Sequence, residues 1–289
     1  MSRLEHKTKG AAFMAMASIF FCLSGCLVKS GSYIGAYKLT FFRFVIGLGL
    51  IVTVAMAGKA KLVFVNKKLL FLRGLTGGTA VFITLLCITK LGLGKGVVMI
   101  NSYPIFGSII SAIFLKERLR LFDIWAILTA IVGIYLIAYD EQNGFSLLVF
   151  GRYELLAVLG AVLAGVTVTI IRKLHDTDSS LAIYFAQCLV GMWLVIGPAL
   201  RCEETVDFRG VFILLGIGTS ITIGQLLMTE GFKYVPVKTG SLLLMLETVL
   251  CYIAGVVIFS ELLTWSCVLG SVLVIGACAV VLLRRNLDH

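Results

Sequence analysis

The sequence predicts an all-α membrane protein of ten transmembrane helices, arranged as two inverted five-helix repeats with both termini in the cytoplasm. Three observations carry that expectation: ten long apolar runs, an uneven distribution of lysine and arginine between alternate loops, and a register shift that maps one half of the chain onto the other. Of 289 residues, 60% are hydrophobic and 14% are charged, and the mean hydropathy is +1.05. Soluble domains run at about 45–50% apolar and about 25% charged. Three prolines in the whole chain are too few for a linker-rich multidomain protein.

The apolar runs lie at roughly 11–28, 39–57, 69–89, 97–115, 121–139, 155–171, 181–200, 211–228, 241–260 and 263–283. They are apolar on all sides, and about 17–25 residues is the length a helix needs to cross a bilayer. In lipid each must be a helix, because a strand would leave backbone groups unpaired. The first run has a basic start, Arg3 to Lys9, but no A-x-A-like cleavage site follows it, so it reads as part of the fold.

Seventeen lysines and arginines fall on the side of the N-terminus, among them Lys59, Lys61, Lys67, Lys68 and Arg73 after the second span. Seven fall on the other side, and Arg43 lies inside a span. The positive-inside rule then puts both termini in the cytoplasm of a multi-pass protein of the cell (inner) membrane. The net charge of +10 is accounted for by these loops. No basic run is interleaved with aromatics in a soluble segment, and no nucleic-acid partner is expected.

Glu117 and Glu261 lie 144 residues apart (261 − 117). The same shift carries Lys29 onto Lys173, Phe41 onto Phe185, Gly47 onto Gly191, Gly74 onto Gly218 and Gly96 onto Gly240, with no gap. Matches spread over the chain, with coincident span boundaries, indicate a duplication, expected as repeats 1–140 and 150–289. Five spans per repeat is an odd number, so the halves enter the membrane from opposite sides. That is a signature of secondary transporters, whose site lies near the midplane between the halves.

At this point the chain resembles the drug/metabolite transporter superfamily, specifically its ten-helix EamA-type group. The resemblance rests on Lys29 and Lys173 ending the first and sixth spans, on Arg43 within "FFRF", on "GVVMINSYP", and on the closing segments "FLKERL" and "FSELL". It covers nearly the whole chain. One position departs from the pattern: Thr248 stands where a counterpart of Pro104 is expected. The resemblance implies an alternating-access carrier of small polar metabolites, often an exporter.

Glu247 falls near the middle of the ninth span, where a carboxylate must be paired, protonated or facing water. It reads as a proton carrier, as the partner of a substrate amine, or as a protonated group bonded to a neighbouring helix. Arg43 can bind a substrate carboxylate bidentately, snorkel to the outer headgroups, or pair with a helix end. Asn101, Pro104, Ser108 and Ser111 share an arc of about 80° on a helical wheel, a polar strip facing either a cavity or a neighbouring helix. Glu247 maps onto Tyr103 (247 − 144), which lies on the opposite face from Asn101. Both faces reach one path only if Pro104 twists the helix.

The expected substrate-binding residues are therefore Arg43, Asn101, Tyr103, Ser108, Gln225 and Glu247, with Pro104 in gating. Gln187 is a further lining candidate. Glu117 and Glu261 are expected to face the positive N-termini of the fifth and tenth helices. Gly74, Gly77, Gly78, Gly160, Ala164 and Gly165 read as close helix contacts.

No enzyme is expected: all six aspartates lie in loops or at span edges, and no histidine lies in a span. Cys22 and Cys26 share a helix face but read as packing residues, and no metal site or cofactor is expected. Without a GxxxxGK[ST] phosphate loop, transport must use a gradient, exchange or facilitated diffusion. The expected function is movement, by export, of an amino acid or related small polar metabolite. The alternatives are uptake or exchange of a cationic or nucleotide-like metabolite such as S-adenosylmethionine, or a lipid-linked carrier or flippase. The expected partners are the substrate and the lipid bilayer, with protons and a second copy of the chain as candidates.

Overall fold

The computed structural model describes residues 3–58, 62–114, 151–202, 206–234, 237–261 and 264–284, with a few residues between 125 and 136. Among them all regular structure is helical. The helices are α1 (Arg3–Ser30), α2 (Ala36–Met56), α3 (Lys67–Leu91), α4 (Leu93–Ile100), α5 (Tyr103–Phe114), α6 (Arg152–Leu174), α7 (Ser180–Arg201), α8 (Phe208–Tyr234), α9 (Val237–Phe259) and α10 (Trp265–Arg284). Six of them, α1 to α3 and α6 to α8, contain stretches long and apolar enough to cross a membrane, and shorter apolar helices run over Leu243–Phe259 and Trp265–Ala277. The expected fourth span is two helices, α4 and α5. Most of the expected fifth span lies outside the described residues, as does Glu117.

Side-chain contacts sort the loops to two ends. At one end Lys9 lies over the rings of Phe13 and Tyr234, joining the start of α1 to the end of α8. At the same kind of junction Asp178 accepts the Val65 N–H at 2.7 Å and that of Asn66 at 3.3 Å, tying the approach to α3 to the approach to α7. At the other end Tyr33 donates to Asp207 at 2.9 Å, Lys95 pairs with Glu154 at 3.1 Å, and Lys29 pairs with Glu261 at 3.4 Å. Asp207 also accepts the Gly210 N–H in the first turn of α8, and these two bonds hold its carboxyl below the usual carboxylate range. Helices α1, α3, α7 and α9 thus run from the first end to the second, and α2, α4, α6 and α8 run the other way.

The packing has a regular exchange in it. Helix α1 packs on α8 and α9, while α6 packs on α3 and on α4 and α5. Helix α2 packs on α8 as α3 does on α7, and α2 and α7 pack on each other. Small residues let these backbones approach: a Cβ on Gly78 would stand 2.8 Å from the Gly191 Cα, one on Gly74 2.7 Å from the Ala186 carbonyl, and one on Gly165 2.7 Å from the Gly107 nitrogen. Gly160 likewise seats the Ile83 and Ile100 side chains.

Glu261 does not face the start of its own α10. It reaches across to α4, where its carboxylate accepts the Leu93 N–H at 2.6 Å and the Gly94 N–H at 3.0 Å. A helix start presents unpaired N–H donors and a partial positive charge, and α4 begins where the chain reverses at Gly92. Glycine is required there twice over: its φ is +93°, and a Cβ would stand 2.7 Å from the carboxylate. With Lys29, Glu261 joins the end of α1, the start of α4 and the approach to α10 in one contact.

Glu261→Gln keeps one acceptor and loses the charge and the second acceptor. Two charge-assisted bonds to a half-buried group are at stake, each of about 1.5–3 kcal/mol. The thermal unfolding midpoint of the purified full chain is expected to fall in Glu261→Gln and further in Glu261→Ala. Equal midpoints for all three would show that the cap contributes no stability.

Candidate functional site

A cavity of about 1100 Å³, counting the space at its open side, lies between the helices. Its walls are mostly apolar, from residues such as Phe21, Val28, Leu85, Ile221 and Leu244. Into it project Arg43 from α2, Arg73 from α3, Gln187 from α7, Gln225 from α8 and Glu247 from α9, with Asn101 and Tyr103 at the α4–α5 break. Of the expected substrate-binding residues the structure brings together Arg43, Asn101, Tyr103, Gln225 and Glu247. The side chain of Ser108 lies outside the described ones, as does that of Ser111.

The break explains how Asn101 and Tyr103 can line one cavity. Two residues apart on a continuous helix they would face nearly opposite directions. Helix α4 ends at Ile100, Asn101 and Ser102 form a turn, and α5 restarts at Tyr103. Ser102 donates its hydroxyl to the Met99 carbonyl at 2.7 Å and accepts, on its own carbonyl, the Ile105 N–H at 3.1 Å. Pro104 is the second residue of α5, where a missing N–H costs least. It is buried and does not line the cavity, so any effect on the site runs through the break.

Thr248 takes the place of a second proline, and α9 is continuous there. Its hydroxyl accepts from Asn101 Nδ2 at 2.9 Å, fastening the broken segment to α9. Glu247 is the residue before it, within hydrogen-bonding reach of Asn101. It is the only carboxylate lining the cavity among the described residues.

Arg43 does not snorkel. It is 1% exposed and stacks on the Phe44 ring, with its Cζ 4.9 Å from the centroid, and its Nε and Nη1 have no hydrogen-bond partner. Snorkelling fails because the guanidinium is enclosed between α2 and α7, beside Tyr184 and Cys188. Arg73 is not the loop charge that its place beside Lys67 and Lys68 suggests, but lies inside α3, 2% exposed. One nitrogen donates to Gln187 Oε1 at 3.0 Å, while Nε and Nη1 have no partner. Gly77 and Ala164, expected at helix contacts, line the cavity. Gly77 is the seat over which the Arg73 guanidinium lies, and its carbonyl accepts from Gln187 Nε2 at 3.3 Å.

Gln225 Oε1 is a further buried polar atom without a partner. The cavity therefore gathers unsatisfied donors, an unsatisfied acceptor and a carboxylate, and such groups call for an explanation. All described cysteines are free thiols, and no cluster of metal-ligating side chains occurs among the described residues.

The model of the EamA-like transporter family matches the chain twice, over residues 8–139 and 151–283. Solute carrier family 35 member G1 of Mus musculus is 25% identical over 296 residues, covering 96% of this chain and 79% of that protein. The pseudopaline exporter of Pseudomonas aeruginosa (strain UCBPP-PA14) is 25% identical over 278 residues, covering 95% of this chain and 96% of that one. A crystal structure aligns with a TM-score of 0.68 at 18% identity, over 98% of this chain and 99% of the other, and shares the fold.

In Pro104→Ala the restored N–H can bond the Ile100 carbonyl and mend α4 and α5 into one helix. Asn101 or Tyr103 must then leave the cavity. Membrane abundance is expected to stay near normal while the transport rate falls roughly tenfold, equivalent to about 1.4 kcal/mol. Abundance measured beside the rate decides it: a collapse in abundance would make Pro104 architectural only.

Proposed function

The chain belongs to the EamA-like transporter family, and is thus a multi-pass membrane transporter of the cell (inner) membrane. On that premise we propose that it exports a small polar metabolite, an amino acid or related compound, by alternating access between the repeats 1–140 and 150–289. The observation that carries this reading is the cavity itself, whose polar residues come from both halves: Arg43, Arg73, Asn101 and Tyr103 from the first, Gln187, Gln225 and Glu247 from the second.

Support for inverted repeats comes from direction and packing. Helix α1 and its counterpart α6 run oppositely, as do α2 and α7, and α3 and α8. Exchanging the halves turns the α1–α8 contact into α6–α3 and the α2–α8 contact into α7–α3, and returns α2–α7 to itself. A fixed site between two such halves is exposed to alternate sides as they rock. Export is the direction in the name of the bacterial relative.

Topology supplies the first check. Reporters at both termini and in the 59–68 loop are expected to be cytoplasmic, and an extracytoplasmic signal from either terminus would sink the inverted arrangement. Comparing metabolites retained by cells with and without the protein is expected to reveal the cargo as an accumulating polar compound.

Glu247 supplies the second. In a space shared with the substrate it can take a proton on one side and release it on the other. Glu247→Gln keeps shape and hydrogen bonding but cannot ionise. In vesicles with an imposed pH gradient, proton-driven net transport is expected to be lost while exchange partly survives. Weakened binding with intact pH dependence would instead make Glu247 the partner of a substrate amine. Normal transport and normal binding would leave it a packing residue.

A further inference from the structure

Resting on the transporter reading, we propose that Arg43 and Arg73 form an anion clamp, and that the substrate is an acidic metabolite presenting carboxylate or phosphate oxygens to both guanidiniums. The two arginines come from α2 and α3, both of which pack on α7, and they converge on one turn of that helix. Arg43 lies beside Tyr184 and Cys188, and Arg73 is bonded to Gln187. Each is almost fully buried, and each leaves Nε and Nη1 without a partner. Arginine does not lose its proton inside a protein. Two such buried charges on one cavity need a counter-charge.

The described acids do not supply it. Glu154, Glu230 and Glu261 pair with Lys95, Lys233 and Lys29, Asp178 and Asp207 are committed to backbone N–H groups near the ends of helices, and Asp176 is exposed in the turn after α6. Glu247 lines the cavity but neighbours Asn101 and Thr248 rather than either arginine. The pair is left facing the cavity with the donors that a carboxylate or phosphate accepts in bidentate fashion.

The path of Arg73 shows that this is a built feature. It is the seventh residue of α3, about 9 Å in from the helix start at about 1.5 Å per residue. Helical side chains ordinarily lean toward the N-terminus, and here that direction also leads to the nearer water, where a long cationic side chain snorkels. Arg73 turns the other way, deeper along the helix, over Gly77. A side chain at 77 would occupy the space of the guanidinium, so the glycine four residues on clears its seat. An arginine kept for solubility or orientation would have no reason to turn inward.

The acidic class fits the rest of the cavity. Glu247, on α9, offers an acceptor for an ammonium, so an amino acid with more than one acidic group meets every charge present. A purely cationic cargo would meet two arginines and one glutamate.

The test is ligand-dependent thermal unfolding of the full chain in detergent, at constant ionic strength, with L-glutamate, succinate, inorganic phosphate and choline as probes. At least one acid is expected to raise the midpoint of the wild type, and choline is not. Arg43→Gln and Arg73→Gln are each expected to weaken apparent acid binding at least tenfold, with Arg73→Lys intermediate. Gly77→Ala, which keeps the arginine but takes its seat, is expected to weaken it comparably. Without probe, the Gln variants are expected to unfold no earlier than wild type, because each removes an uncompensated buried charge. An earlier midpoint for the empty Gln variants would assign the arginines to structure and overturn the clamp. So would acid binding unaffected by the substitutions, or no shift by any acid. Counterflow in proteoliposomes separates the two readings. Choline carried while acids fail to bind leaves the carrier standing without the clamp. Arginine-dependent acid binding without counterflow leaves the clamp standing and sinks the carrier.

Discussion

Water is missing as a hydrogen-bond partner through most of this molecule, and that constraint decides where irregular backbone and charge can sit. A helix interior satisfies itself, which is why the spans tolerate apolar residues on every side. Whatever cannot satisfy itself has to find protein or a hydrated cavity. The turn at Asn101 and Ser102 interrupts a helix at membrane depth, and it is stitched by the Ser102 hydroxyl and the Asn101–Thr248 bond. The start of α4 likewise takes its acceptor from Glu261, 168 positions away in the chain. The Asn101–Thr248 bond and the Glu261 cap both join the two halves of the protein, and at the cap backbone satisfaction and assembly of the halves are one problem with one solution.

That coupling gives the residues related by the 144-residue shift different tasks. Pro104 opens α5 after a break, while Thr248, its counterpart, sits in an unbroken helix and supplies a hydroxyl to the other half. Tyr103 and Glu247 are counterparts too, and both line the cavity, one as a phenol and one as a carboxylate. Under the proposed inverted arrangement, such divergent linings would keep the symmetry that rocking requires while making the site asymmetric enough to orient a substrate.

Much of this was legible in the residues. Apolar runs gave the helices because length and composition are all the bilayer asks for. Glu247 and Arg43 stood out because ionisable groups inside such runs are rare and need a reason. Asn101 and Tyr103 posed a conflict on the helical wheel that only a broken helix removes, and the proline pointed to it without showing that the chain breaks ahead of it. Arg73 was misread for a physical reason: it follows Lys67 and Lys68, and composition near a span boundary cannot say whether a long cationic side chain turns toward water or away. The apolar run 69–89 already contained it, and Gly77 one turn further on was the available hint. Glu261 was assigned to the helix nearest in sequence, whereas its partner is set by tertiary packing that no local pattern encodes.

The distribution of charge in the cavity also bears on how binding would drive the cycle. An empty site lined by two buried guanidiniums would resist closure, since desolvating like charges together is costly. A bound acid removes that penalty, and it does so most in the conformation where water is most fully excluded. Occupancy then favours the enclosed state relative to the open ones, and a ligand shifts a conformational equilibrium only through such a difference in affinity between states. A carrier built this way reorients more readily loaded than empty, which favours exchange over leak. Glu247 adds a second lever in the same space: ionised, it would hold the substrate's ammonium as a counter-charge, and neutral, it would let that end go. The proton and the acid would then be coupled through one cavity, by electrostatics alone, without any direct contact between Glu247 and the clamp.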